Sequence, residues 1–143
     1  MSVATYDPKQ IALVLGGVLV TGYGENSIVS HARNSDSFTK RIGADGKVTR
    51  TRSADRSGRI TITLQQSSTT NLVLSALLKA DELGEGGTVP YLMKDNNGTT
   101  VFSSGTAWIT RLPDDERANE AGDIEWTIDV SEMEAVIGDI TQE

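Results

Sequence analysis

The stretch Arg59–Gln65 reads RITITLQ, in which apolar and polar side chains alternate without interruption. A period of two is typical of a β-strand with one buried face, because successive side chains of a strand point to opposite sides. The stretch Glu125–Ser131, which reads EWTIDVS, repeats this pattern near the other end of the chain. These two stretches predict a mainly β protein in which Ile60, Ile62 and Leu64 face the core.

Shorter runs predict further strands around the first two. The runs Ile11–Leu15 and Val18–Thr21 flank Gly16-Gly17, which favours a tight hairpin turn because both glycines accept positive φ. The other predicted strands are Ile28–Arg33, Ser37–Ile42, Lys47–Arg52, Val89–Lys94, Thr99–Ser103 and Ala107–Leu112. The tripeptide Asn96-Asn97-Gly98 predicts a further hairpin turn, and a loop is expected from Pro113 to Asp123.

One helix is predicted at about residues 70–83. The polar run Ser67–Asn71 offers several N-caps, and Leu72–Leu83 contains neither Gly nor Pro. A stripe at helical spacing consists of Val73, Ala76, Leu77 and Ala80, widened by Leu72, Leu74 and Leu78. Because much of the circumference is apolar, we expect a sheet to cover this helix.

Charge is distributed unevenly along the 143 residues, which carry a formal net charge of −7. Residues 1–80 hold ten Lys or Arg and five Asp or Glu, whereas residues 81–143 hold three and fifteen. The net negative charge argues against a protein that coats nucleic acid. The two halves are either solvated faces or complementary surfaces, the basic stretch of one copy docking on the acidic surface of another.

The length predicts a single domain, residues 1–143, with one core. The strands Phe38–Ile42 and Val48–Arg52 are joined by the turn Ala44-Asp45-Gly46 and carry few apolar residues. A hairpin of this composition cannot bury much surface within its own domain, so residues 38–58 are expected to form a projecting or mobile docking arm. Residues 132–143 are expected to form an acidic C-terminal tail, with possible anchors at Met133, Val136 and Ile137.

Residues suited to catalysis are scarce. The chain has no cysteine and a single histidine, His31, which is interpreted as an ordinary polar strand residue because it has no neighbour at ligand spacing. Residues 43–49 lack the spacing and the hydroxyl residue of a phosphate-binding loop. Trp108 and Trp126 are interpreted as core anchors, with a subunit contact as the alternative for one of them. No enzymatic activity, cofactor or metal is predicted.

No stretch predicts a transmembrane helix or a secretory signal, because the longest mainly apolar run, Ile11–Val20, is broken by two glycines. We therefore expect synthesis in a cytoplasm and no membrane insertion.

Short segments in a characteristic order resemble the tail tube proteins of contractile-tailed bacteriophages, a family of structural proteins that is similar to the type VI secretion tube protein. The resemblance extends from Ala4 to about Ile137 and rests on residues 4–10, Gly16-Gly17, residues 36–40, residues 43–46, Arg56-Ser57-Gly58, residues 80–83, Lys94-Asp95 and residues 107–109.

The resemblance implies a fold of two packed antiparallel sheets, a sandwich or barrel, with one flanking helix. It also implies hexameric rings whose inner sheets join into a continuous β-barrel, and stacking of the rings into a hollow tube inside a contractile sheath. DNA would pass through the lumen without specific binding. The implied location is the virion tail, after synthesis in the cytoplasm of the host cell.

By the same resemblance, the partners are other copies of the chain and the tail sheath, tape measure, baseplate and tail terminator proteins. The arm would contact neighbouring subunits or the adjacent ring. The expected contact residues are Lys40, Arg41, Lys47, Arg50, Arg52 and Arg56. Two alternatives stay open: a tube or tail-end protein of a related contractile injection or type VI secretion system, and a small ligand-binding or hydrolytic β-domain.

Overall fold

A computed structural model describes residues 6–24, 28–84, 86–96 and 98–139. Within these residues the chain forms ten strands and one α-helix, preceded by a 3-10 turn at Pro8–Gln10. The elements are β1 Ile11–Leu15, β2 Val18–Leu19, β3 Val29–Arg33, β4 Phe38–Ile42, β5 Val48–Arg52, β6 Gly58–Gln65, α1 Thr70–Glu82, β7 Val89–Asp95, β8 Val101–Ile109, β9 Asp123–Val130 and β10 Glu134–Val136.

The strands form two antiparallel sheets. The larger sheet has the order β2-β1-β7-β8-β9-β6-β3, and β10 adds to β8. The smaller sheet is the hairpin of β4 and β5. The predicted mainly β fold with two antiparallel sheets and one helix is confirmed.

The larger sheet curls so that its β3 edge comes close to β7 and β8. Three strands, β6, β9 and β8, separate β3 from β7 in the sheet order. The ring of His31 in β3 nevertheless contacts Tyr91 of β7 and Phe102 of β8. The curvature encloses a core on one face. Its buried apolar side chains include Leu13, Leu15, Ile60, Ile62, Leu64, Tyr91, Ala107, Ile109, Trp126, Ile128 and Val130.

The two alternating stretches of the sequence become β6 and β9, which pair with each other. Ile60 lies opposite Ile128, and Ile62 lies opposite Trp126. All four side chains are buried, as the period of two predicts. The hairpin at Gly16-Gly17 is also confirmed, because both residues have positive φ, +61° and +83°, between β1 and β2.

The region predicted as two strands, Thr99–Ser103 and Ala107–Leu112, is one continuous strand, β8. Val89 pairs with Ala107 but Tyr91 pairs with Ser104, so two residues of β8 lie opposite Pro90 alone. This is a β-bulge. Pro90 O accepts from Gly16 N–H at 2.8 Å, so the backbone of Pro90 faces the turn after β1, where the β1–β7 ladder has already ended at Leu15 and Tyr91. The strand therefore passes through Gly105 instead of ending there.

Helix α1 packs on the core through a different stripe from the one predicted. Leu74 and Leu78 are buried, Val73, Leu77 and Ala80 are half-buried, and Leu72 is 77% exposed. The predicted stripe is thus displaced. Leu74 and Leu78, which were expected only to widen it, are its buried centre, and Ala76 is exposed. The side of a broadly apolar helix that faces inward is set by tertiary packing and not by periodicity alone.

The acidic tail is partly regular. Residues 134–136 form β10 on β8, and Met133 is buried against the core. Val136 and Ile137 are exposed, so two of the three expected anchors were wrong for the single chain. Strand alternation puts Val136 on the opposite side of β10 from Met133. Residues 140–143 of the tail, and Asn97 of the predicted turn, lie outside the described residues.

Candidate assembly surface

The hairpin of β4 and β5 stands apart from the larger sheet. Every residue of both strands is exposed, and the apolar side chains Phe38, Ile42 and Val48 are 44–61% exposed. Apolar groups that are left in solvent by their own chain are typical of a contact surface. From here on, the arm means residues 38–52, the β4–β5 part of the expected arm, and residues 53–58 form its root.

The strand register separates the arm into two faces of different chemistry. Pairs that lie directly opposite share a face, and so do residues two apart on one strand. The first face, which we call the basic–apolar face, consists of the pairs Phe38–Arg52, Lys40–Arg50 and Ile42–Val48. The second, the threonine face, consists of Thr39–Thr51 and Arg41–Thr49.

Phe38 organises the cations of the basic–apolar face. The guanidinium carbon of Arg50 lies 4.2 Å from the centroid of the Phe38 ring, and that of Arg52 lies 6.0 Å from it. A ring face attracts cations through its quadrupole, so both guanidinium groups are held over the same aromatic surface.

The six expected contact residues therefore lie in different places. Lys40, Arg50 and Arg52 are on the basic–apolar face, and Arg41 is on the threonine face. Lys47 lies in the tip turn, where its backbone N–H donates to Asp45 Oδ1, and Arg56 lies beyond the arm at its root. Among the described residues, none of the six lies within 4.0 Å of a carboxylate oxygen.

Asp55 ties the root of the arm together. Its carboxylate accepts hydrogen bonds from the hydroxyls of Ser35 and Ser57, each at 2.6 Å, and from the backbone N–H of Ser57 at 3.0 Å. The hydroxyls of Ser35 and Ser57, together with this backbone N–H, hold the pKa of Asp55 at about 2. The two chain segments that lead into and out of the arm are thus joined at one side chain.

The acidic segment, residues 132–139, starts beside this root. The backbone N–H of Met133 donates to Arg56 O at 2.8 Å, and Arg33 Nη2 donates to Met133 O at 2.6 Å. The neighbouring Glu134 carboxyl, through hydrogen bonding and its charge, raises the pKa of Glu132, and the cations of Arg56 and Arg33 partly offset this rise. The exposed side chains Val136 and Ile137 follow directly.

The family model described as "Bacteriophage PhiTE tail tube protein" matches residues 5–138 of the chain. The chain belongs to this family. It is therefore a structural protein of a phage tail, a component of the virion and not an enzyme. A related protein, "Structural protein ORF10" of Pseudomonas phage KPP10, is 33% identical over 136 residues, which is 90% of this chain and 79% of that protein.

Solved structures similar to this tail tube family member come from contractile injection systems. The sheath/tube terminator of an extracellular contractile injection system, PVC, in its extended state has a TM-score of 0.67 at 15% identity, covering 93% of this chain and 97% of the other. The PVC sheath–tube complex has a TM-score of 0.62 at 16% identity, covering 92% of this chain and 91% of the other. The tube-terminating cap of the anti-feeding prophage has a TM-score of 0.64 at 12% identity, covering 95% of this chain and 94% of the other. At these identities the likeness shows the fold.

Sequence reasoning missed a polar contact inside the body. His31 Nε2 lies 2.6 Å from the hydroxyl of Tyr91, and the imidazole stacks on Phe102 with centroids 3.9 Å apart. Burial lowers the pKa of His31 to about 4 and raises that of Tyr91. Both groups are thus neutral near pH 7, which lets the phenol donate to the imidazole. The register of β3 with β6 places His31 opposite the buried Ile60, so the two side chains share the inward face.

Other kinds of site find no support in the described ranges. No group of three or more acidic and histidine side chains there is arranged to hold a metal ion. No helix in that part of the chain is long and apolar enough to cross a membrane.

Proposed function

We propose that the chain is the tail tube subunit whose hexameric rings stack into the hollow conduit for DNA ejection inside a contractile sheath. The observation that carries this proposal is the exposed arm. It places three apolar and three cationic side chains on one face, and all six residues are exposed in the single chain. Such a face gains stability only when another surface covers it.

A second feature supports a water-filled lumen. The residues of β6 and β9 that point away from the core are polar, among them Thr61, Thr63, Glu125 and Thr127. Arg59 and Asp129 pair on the same face at 3.2 Å, so its one arginine is neutralised. A wall of this composition offers the DNA backbone no unpaired cation from β6 or β9, which leaves DNA free to slide.

Ring closure would also satisfy the sheet edges. β2 and β3 end the larger sheet, and edge strands invite pairing with another chain. Six copies joined edge to edge would form the continuous inner barrel of the proposed ring. We further propose that the tail sheath, tape measure, baseplate and terminator proteins are its partners, and that the chain is made in the cytoplasm of the host cell.

Negative-stain and cryo-electron microscopy of the purified protein test this function. We expect six-fold rings and hollow tubes that grow in length with protein concentration. Monomers that persist at every concentration would contradict the proposal.

The similarity in fold to terminator and cap structures favours one second candidate, a tube terminator. That function predicts single rings that do not stack and that stop the growth of tubes made by another protein. The same images distinguish it from a tube subunit.

A further inference from the structure

We propose that the basic–apolar face of the arm of one copy docks on the acidic segment of a second copy, with Arg50 and Arg52 against Glu134 and Glu132 and with Val48 against Val136. The inference rests on the proposed self-assembly and names the two surfaces that make the contact.

The first step is the choice between the two faces of the arm. The basic–apolar face carries three cations and three large apolar side chains, whereas the threonine face carries Arg41 and three threonines. Arginine and aromatic residues are enriched at interface centres, where apolar groups supply the burial and guanidinium groups the directed contacts. The basic–apolar face therefore has the composition of an interface, and the threonine face that of a solvated surface.

The second step is the choice of acceptor, which must offer both negative charge and exposed apolar side chains. The loop after β8 is rich in acids, but Asp114 and Asp115 already pair with Arg111 and Arg117, at 2.9 and 3.1 Å. In the acidic segment, Glu132 and Glu134 lie side by side, and among the described residues neither forms an ion pair within 4.0 Å, although Arg56 and Arg33 are near enough to lower the pKa of Glu132. Val136 and Ile137 next to them are 62% and 80% exposed.

The third step is the order of the side chains. From root to tip, β5 presents Arg52, Arg50 and Val48 on one face at two-residue spacing. Along the acidic segment, Glu132, Glu134 and Val136 follow one another at the same spacing, and the register of β10 on β8 puts Glu134 and Val136 on one side. Two cations and a valine thus match two carboxylates and a valine when β5 runs antiparallel to β10.

The fourth step is symmetry. The arm and the acidic segment are different surfaces, so a copy that uses its arm on one neighbour keeps its acidic segment free for another. Contacts of this head-to-tail kind generate closed rings or open helical polymers, and not closed dimers. The acidic segment lies at the root of its own arm, so each arm would link its copy to the root of the next arm.

A charge-swap experiment tests the contact. The arm variant carries Arg50→Glu and Arg52→Glu, the segment variant carries Glu132→Arg and Glu134→Arg, and the swap variant carries all four changes. Assembly is measured as the pelletable fraction in ultracentrifugation and by negative-stain imaging, and circular dichroism checks that each variant is folded.

We expect the arm variant and the segment variant each to lose assembly by more than about tenfold, because each places like charges in contact. The swap variant should assemble alone, and an equal mixture of the arm and segment variants should assemble as an alternating copolymer. Arg41→Glu is the matched control for Arg50→Glu, since both change the same residue type on the same hairpin. The control should assemble as the unmodified protein does.

Three outcomes would overturn the inference: normal assembly of the arm variant, a folded swap variant that stays dispersed, or rescue of the arm variant by Asp114→Arg with Asp115→Arg. Failure of the proposed function looks different. The unmodified protein could form closed oligomers but no tubes, and the swap variant could form the same oligomers where the arm and segment variants do not. That result would support the proposed contact and contradict the proposed tube function. If the unmodified protein stays monomeric, both are wrong.

Discussion

The indole Nε1 of Trp126 donates a hydrogen bond to Asn71 Oδ1 at 2.9 Å, which links the centre of β9 to the first turn of α1. Trp126 is among the largest fully buried side chains, so its N–H depends on this partner. Asn71 also donates through Nδ2 to Gln65 O at 2.9 Å, at the end of β6. One amide thus joins the helix to two neighbouring strands.

Replacing Asn71 by Leu should destabilise the subunit by about 1–3 kcal/mol, because the buried indole N–H then loses its partner. Urea unfolding followed by tryptophan fluorescence measures the change. Leu72→Ala is the control at the next position, and it should change the free energy of unfolding by less than about 0.5 kcal/mol because Leu72 is exposed. Equal effects of the two substitutions would contradict this account of α1.

Gly58 is predicted to tolerate no side chain. A Cβ at this position would lie 2.9 Å from Ala32 O and 2.5 Å from Met133 Cε, between β3 and the start of the acidic segment. We expect Gly58→Ala to cost about 1–3 kcal/mol through overpacking. Gly105→Ala is the matched control, since a Cβ there meets nothing within 4 Å and its φ is not positive. In thermal unfolding, the midpoint temperature should be lower for Gly58→Ala and unchanged for Gly105→Ala.

His31 should make stability depend on pH below neutrality. Its pKa is lowered from 6.5 to about 4 in the folded chain, so the unfolded chain binds a proton more readily between these values. The neutral imidazole therefore contributes its whole share of the folding free energy above about pH 6.5. This contribution falls as the pH drops toward 4, and it changes no further below pH 4. Because the ring is partly solvated, we expect the loss to be on the order of 1–2 kcal/mol.

The measurement is urea unfolding at several values between pH 4 and pH 7.5, on the unmodified protein and on His31→Gln. Carboxylates titrate in both proteins, so the difference between the two curves isolates the histidine. An unchanging difference across this range would contradict a neutral His31 in the folded state.

Much of the fold is readable from local pattern, since alternation in β6 and β9 and paired glycines at a turn act over a few residues. The long-range features are not. The bulge in β8 is defined by its pairing with β7, and His31 meets Tyr91 across 60 positions of the sequence. The six contact residues were proposed as one basic set. Strand alternation separates Arg41 from Lys40, and the register of β4 with β5 then places Lys40 and Arg50 on the same face.

Phe38 holds Arg50 and Arg52 in place on the basic–apolar face. Phe38→Leu keeps an apolar side chain but removes the ring that attracts both cations, at 4.2 and 6.0 Å from its centroid. An exposed cation–π contact is worth about 0.5–1 kcal/mol, so the concentration needed for assembly should rise about two- to fivefold. Phe38→Tyr keeps an aromatic face and should assemble as the unmodified protein does. Sedimentation across a concentration series measures this threshold. Because Phe38 is partly exposed, the free energy of unfolding of the subunit should be the same in both variants. Equal assembly thresholds for the Leu and Tyr variants would show that the ring plays no part in placing the two arginines.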